Sequence, residues 1–132
     1  MRIFIDTSAL IALADRSDQY HRRATTLLQA MRAAEWHTST YILDETITRL
    51  RFVAGVHVAV KVAESLWESR LYRIHPVDQR IERAALAVLK KFSDQQLSFT
   101  DCTTIALMEH VGLERIFAFD DDFRKVGYML VP

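Results

Sequence analysis

A chain of 132 residues, half of them apolar and with only three Gly and two Pro, is long enough to bury a real core and is composed like an ordered, helix-rich protein. Its 17 basic and 17 acidic residues cancel, which removes any global electrostatic case for nucleic acid and leaves only local clustering. The lone Cys102 excludes an intramolecular disulfide, and no stretch approaches the roughly 20 apolar residues of a membrane span. The apolar run at the N-terminus is too short for a signal peptide and stops at Asp6, so a soluble cytoplasmic protein with a single domain over residues 1–132 is expected.

Ile3-Phe4-Ile5 is short and β-rich, the pattern of a buried strand ending at Asp6. Ser8 is placed to cap a helix over residues 9–14. Leu27, Leu28 and Met31 at helical spacing predict a helix over residues 20–34, and His37-Thr38-Ser39 is a weak strand. A helical hairpin follows, residues 41–54 and 56–70, broken at Gly55. Residues 71–74 alternate and are stopped by Pro76, a strand again. From residue 77 or 78 a helix runs to about residue 92, with Ile81, Ala84, Ala85, Val88 and Leu89 as its buried stripe. Thr100 is the expected cap of a helix that ends at Gly112, and residues 116–119 and 128–131 read as the last two strands. Short apolar strands alternating with helices define the α/β class, a parallel sheet covered on both faces.

Against this frame the carboxylates stand out. Asp6 and Asp120 directly follow expected strands, Asp101 lies in the first turn of a helix, and Glu45 sits beside the Leu43, Ile47, Leu50 stripe. Ligand sites in such sheets form at the carboxyl ends of strands, so three of these acids point toward one edge. Each alone has a structural explanation: Asp6 as a turn cap, Asp101 as a charge on the helix dipole, Glu45 as a surface ion pair with Arg49. Together they conflict, since two carboxylates 4 Å apart repel by about 4 kcal/mol at an effective dielectric near 20. A cation relieves that repulsion. All-oxygen ligands favour Mg²⁺ or Mn²⁺ over zinc, and the five histidines show no metal-ligand spacing.

Phe4-Ile5-Asp6-Thr7-Ser8-Ala9-Leu10, Glu45 in the third helix, Ser98-Phe99-Thr100-Asp101-Cys102, and Ala118-Phe119-Asp120-Asp121-Asp122-Phe123 occur in this order along nearly the whole chain. The combination resembles the PIN-domain family, and more narrowly the VapC-type toxins of bacterial and archaeal toxin–antitoxin pairs. The resemblance implies a three-layer α/β/α fold around a mostly parallel sheet of four to five strands, and a Mg²⁺-dependent endoribonuclease. It places Asp6, Glu45, Asp101 and Asp120 on the family's acidic quartet, with Asp122 able to supplement or replace Asp120. Ala118 departs from the Thr or Ser that many relatives carry there. Asp6 and Asp101 are then expected as metal ligands, with Glu45 and Asp120 binding a second ion or orienting water, and catalysis as metal-assisted phosphodiester hydrolysis without a covalent intermediate.

Ser8, Thr7 and Arg49 are candidates for holding RNA phosphate, and helix capping accounts for the first two equally well. Other basic pairs (Arg22 with Arg23, Arg80 with Arg83, Lys90 with Lys91) are expected as solvated helix faces or RNA contacts; Arg49 is preferred because it shares a helical face with Glu45. Apolar residues around the hairpin, Phe52, Val56 and Trp67 among them, exceed the needs of one core side. The resemblance adds a homodimer and a small VapB-like antitoxin that inserts a basic side chain among the acids. Two alternatives stand beside this reading. One is a PIN-like RNA-binding or assembly module without nuclease activity. The other is a Mg²⁺-dependent phosphatase of another α/β family, although Ser8 stands where a haloacid-dehalogenase-like enzyme would need its second Asp.

Overall fold

Apolar runs and apolar stripes alternate along the chain, and the elements follow them. In the computed structural model, which describes residues 1–132, these are β1 (Arg2–Ile5), α1 (Thr7–Ala14), α2 (His21–Ala30), β2 (Glu35–Ser39), α3 (Thr40–Val53), α4 (Val56–Glu68), β3 (Tyr72–His75), α5 (Gln79–Lys91), α6 (Phe99–Val111), β4 (Arg115–Phe117), α7 (Asp122–Lys125) and β5 (Met129–Val131). The strands form one sheet in the order β3-β2-β1-β4-β5, and every neighbouring pair is parallel. Ile3, Phe4 and Ile5 are all fully buried, so β1 is covered on both faces, as a central strand of an α/β/α sandwich must be. The core gathers around it, with Trp36, Ile116 and Phe117 from the flanking strands and Ile42, Leu43, Ile105 and Met108 from the helices. The expected mostly parallel sheet of four to five strands is therefore a five-stranded, wholly parallel one. No helix is long and apolar enough to cross a membrane.

The order of strands fixes where a site can form. The chain lays β2 and β3 on one side of β1, then crosses to place β4 and β5 on the other. Between β1 and β4 the winding reverses, and a crevice opens beyond their carboxyl ends. Asp6 follows β1, and the segment Ala118 to Asp120 follows β4.

Several boundaries differ from the pattern reading, each for a physical reason. Asp6, not Ser8, caps α1, and Ser98, not Thr100, caps α6. The helix over residues 20–34 is shorter at both ends, because Tyr20 belongs to a turn and residues 31–34 turn back toward the sheet. The weak strand at His37-Thr38-Ser39 extends to Glu35 and is an inner strand, its polar side chains satisfied by internal hydrogen bonds. On α5 only Ile81, Ala85 and Val88 are buried; Ala84 is exposed and Leu89 is 39% exposed, so the stripe is narrower than expected. On α3 the buried residues are Ile42, Leu43, Thr46 and Leu50, with Ile47 at the margin. β4 stops at Phe117, so Asp120 lies on a loop beyond the strand rather than at its last residue.

Candidate active site

Asp6 is built into the switch point by its backbone. Its amide donates to the Phe117 carbonyl at 3.0 Å, carrying the β1–β4 ladder one residue past the strand. Its side chain then caps α1, Oδ2 accepting the Ser8 amide at 3.3 Å and the Ser8 hydroxyl at 3.0 Å. Both bonds fall on one oxygen, leaving Oδ1 for another partner. Only 4% of Asp6 is exposed. Burial, then the charges of Asp101 and Asp120, push its carboxyl from 3.8 up to about 7, against the lowering effect of Ser8.

Asp101 comes from α6 and is fixed by a capping box. The Ser98 hydroxyl accepts the Asp101 amide at 3.0 Å, and Asp101 Oδ2 accepts the Ser98 amide at 2.9 Å. Its carboxyl is raised above the ordinary range by burial, opposed by the Ser98 bonds and reinforced by Asp120 and Glu45. Asp120 is exposed on its loop, with Oδ1 accepting the Asp122 amide at 3.2 Å. It too is raised, by desolvation first, the Asp122 amide opposing and Asp122, Asp121 and Glu45 adding repulsion. Glu45 is half-buried on α3 and makes no ion pair with Arg49.

The four acids of the sequence pattern thus bear on one another electrically across β1, α3, α6 and the β4 loop. Asp120 is among the principal charges on both Asp6 and Asp101, whereas Asp122, at the start of α7, acts on Asp120. No three of the carboxylates close into a coordination set by themselves. The donor chemistry nevertheless fits a hard divalent cation: every candidate donor is an oxygen, and the most buried carboxylate, Asp6, keeps one oxygen without a protein partner. Asp6 and Asp101 are the carboxylates held by helix-cap hydrogen bonds, and Glu45 and Asp120 are the freer ones.

The remaining candidates separate. The Ser8 hydroxyl gives its one proton to Asp6 and accepts the Phe119 amide at 3.1 Å, so its place is to hold Asp6 and the β4 loop together. Thr7 is buried, its hydroxyl without a hydrogen-bond partner. Arg49 is exposed and lines a cleft of about 220 Å³ with Ser8, Tyr20, Phe119 and Asp120. Cys102 is fully buried and burial raises its thiol, so it is a core residue. Pattern reading passed over the stacked rings of Tyr20 and Phe119 in this cleft. The only signal for them was an aromatic residue immediately before Asp120 and another just before a helix.

Fold and site together define a doubly wound α/β protein with an acidic cluster at its topological switch point. The chain belongs to the PIN-domain family, whose model, described as PIN domain, matches residues 3–128. Within that family it stands with the VapC proteins. It is 33% identical over 129 residues, 98% of this chain and 97% of the relative, to the 23S rRNA-specific endonuclease VapC20 of Mycobacterium tuberculosis. The crystal structure of VapC20, described as a sarcin–ricin loop cleaving toxin, superposes with a TM-score of 0.90 at 32% identity, covering 96% of each chain. VapBC2 of Rickettsia felis, solved on a DNA fragment from its promoter, shares the fold at a TM-score of 0.70 and 9% identity, over 99% of this chain and 98% of that one.

Proposed function

We propose that this chain is a divalent-metal-dependent endoribonuclease, with Mg²⁺ as its ion, and that it acts in the cytoplasm as the toxin of a toxin–antitoxin pair. One observation carries the reading: Asp6, a carboxylate 4% exposed at the switch point with one oxygen free of protein partners and two further acids bearing on it, is a place where a cation relieves burial and repulsion together. The catalytic set is Asp6, Glu45, Asp101 and Asp120, held within a single PIN domain. Asp6 and Asp101 hold the ion; Glu45 and Asp120 complete its shell or orient water. Bound there, a divalent ion supplies positive charge to the developing phosphorane-like transition state and acidifies water at neutral pH. Ser8 keeps Asp6 in its rotamer through the 3.0 Å bond to Oδ2. Arg49, which is free of carboxylate partners, is positioned at the cleft to bind a phosphate of the RNA.

The activity named for VapC20 makes 23S rRNA the first substrate to test. Purified protein with ribosomal RNA and Mg²⁺ should yield discrete fragments, chelator should stop the reaction, and Asp6→Asn should reduce it by at least about a hundredfold, the scale of a lost charge-stabilising group. Equal cleavage by wild type and Asp6→Asn would remove the site assignment. Replacing Mg²⁺ by Mn²⁺ or Ca²⁺ at fixed ionic strength identifies the working ion. As partners we propose a second copy of the chain and a small VapB-like antitoxin whose basic side chain occupies the acidic cleft. Co-expression with such an antitoxin should suppress both cleavage and growth arrest.

A further inference from the structure

The cleft beside the carboxylates has a wall that phosphodiester hydrolysis alone does not require. Tyr20 and Phe119 stack there face to face, ring centroids 4.5 Å apart and planes within 1° of parallel. Phe117 packs edge-on against Phe119 at 5.6 Å, so the stack is rooted in the core through Phe119 and Tyr20 is its outer layer. The Arg23 guanidinium lies 5.9 Å from the Tyr20 centroid and 5.6 Å from that of Phe119. Neither Arg23 nor Arg49 enters an ion pair. Both rings are only half-buried, unlike Trp36 or Phe4, which the core encloses completely.

This aromatic wall is tied to the acids. The Phe119 amide donates to Ser8 Oγ at 3.1 Å, and the same hydroxyl donates to Asp6 Oδ2 at 3.0 Å. Asp120 is the next residue after Phe119. On the other side, the Tyr20 amide donates to Asp18 Oδ1 at 2.8 Å, fixing the turn from which the ring projects. Ring pair and carboxylates therefore sit at a set separation, with Arg49 lining the cleft and Arg23 beside the ring stack. The volume of about 220 Å³ is on the scale of one nucleotide rather than of a duplex.

We propose that the Tyr20–Phe119 stack is a base-binding subsite, which receives one unstacked nucleobase next to the scissile phosphate while Arg23 and Arg49 hold the neighbouring phosphates. The inference rests on the endoribonuclease reading and deepens it, because it says what kind of RNA reaches the acids. Every nucleobase offers a π-face, so an aromatic platform accepts any base that has left its helix. Sequence-specific and loop-specific RNA recognition works on such splayed bases, because the edges and faces of a duplex are hidden. Arginine beside a ring both stacks and binds phosphate. A base added to the outer face of Tyr20 would make a third layer beside the cleft that Tyr20 and Asp120 both line. The subsite thus selects loops and unpaired segments over double helix.

The test uses an unstructured oligoribonucleotide that the wild type cleaves, together with copies carrying an abasic residue at each position around the cut. The abasic copy at one flanking position should be cleaved about 5- to 150-fold less efficiently in kcat/KM, the range of one lost base–aromatic stack, while distant positions have little effect. Tyr20→Ala should show a similar loss on intact RNA and no further loss on that abasic copy. Tyr20→Phe should restore the wild-type pattern. The subsite is overturned if wild type cleaves all abasic copies alike, or if the Tyr20→Ala and abasic losses multiply as independent effects do. The first of these readouts needs no variant, so a misfolded Tyr20→Ala does not shield the proposal. Wild-type protein that cleaves no RNA under any divalent ion would remove the nuclease reading itself, and the subsite with it.

Discussion

At Asp6, burial and function pull in opposite directions. A carboxyl that is 4% exposed, with Asp101 and Asp120 bearing on it, takes either a proton or a cation. Without metal it takes the proton, its ionisation raised to about 7, whereas in the unfolded chain it ionises near 3.9. Between those values the folded state holds a proton that the unfolded state lacks, so stability contributed by this group is full below about pH 4 and lost as pH rises through 7. The shift from 3.8 to about 7 corresponds to about 4 kcal/mol. Asp6→Asn keeps an oxygen for the Ser8 bonds and removes the titration. In chelator, urea unfolding should therefore show the two proteins alike at pH 4 and the variant more stable by several kcal/mol at pH 8. Added Mg²⁺ at pH 8 should stabilise the wild type by mass action and the variant much less. Parallel stability curves for the two proteins would mean that Asp6 is not strained.

At the scale of elements, the same side chains serve structure and site, and the two contributions can be separated. On α6, Ser98 and Asp101 cap each other's amides. Ser98→Ala should lower stability by about 1 kcal/mol, as N-cap losses do, yet leave most cleavage in place; Asp101→Asn should do the reverse. Measuring both quantities for both variants tests the division. A second device pins the edge strand: His37 Nε2 donates to Glu35 Oε1 at 2.8 Å, and its Nδ1 lies 2.7 Å from His75 Nε2. Burial depresses the ionisation of both imidazoles, opposed at His37 by Glu35. Their folded values lie below the unfolded 6.5, so the stability they contribute is present above that pH and lost as pH falls below it. His75→Gln should flatten that acid-side loss relative to wild type, read from thermal midpoints at pH 7, 6 and 5. Helices were legible in the sequence because apolar stripes and stops at Gly55 and Gly112 mark them, and both glycines do adopt positive φ. Caps were not, because Asp6-Thr7-Ser8 and Ser98-Phe99-Thr100-Asp101 each offer several residues able to cap. β2 was nearly invisible because its polar residues, His37, Thr38 and Ser39, are buried by pairing with one another's neighbours rather than by being apolar.

For the whole molecule, the parallel sheet and Asp6 at the end of β1 were readable from composition and position, since strand and helix alternate and Asp6 stops an apolar run. The strand order was not, and it is the order that places the loop after β4 beside Asp6. The Tyr20–Phe119 stack was hidden for the same reason: only the crossover joins two segments so distant in sequence. One surface remains that the single chain does not use. Phe52 is 77% and Trp67 63% exposed, and Val53, Val56 and Val60 extend the same α3–α4 hairpin surface. Val56, Val60 and Trp67 recur at helical spacing along α4, so they form a stripe rather than scattered singles. A continuous apolar stripe of this kind is covered in working proteins by a partner, and a two-fold contact lets one patch cover its own copy. The protein should therefore sediment as a dimer. Phe52→Lys combined with Val56→Glu should shift it to monomer by at least about tenfold in dissociation constant, while the thermal midpoint of the monomer barely moves, because exposed positions contribute only within about 0.5 kcal/mol. A wild type that stays monomeric at every concentration would overturn the dimer. None of the four acids belongs to this stripe, so the double variant should retain Mg²⁺-dependent cleavage if one copy carries a complete site.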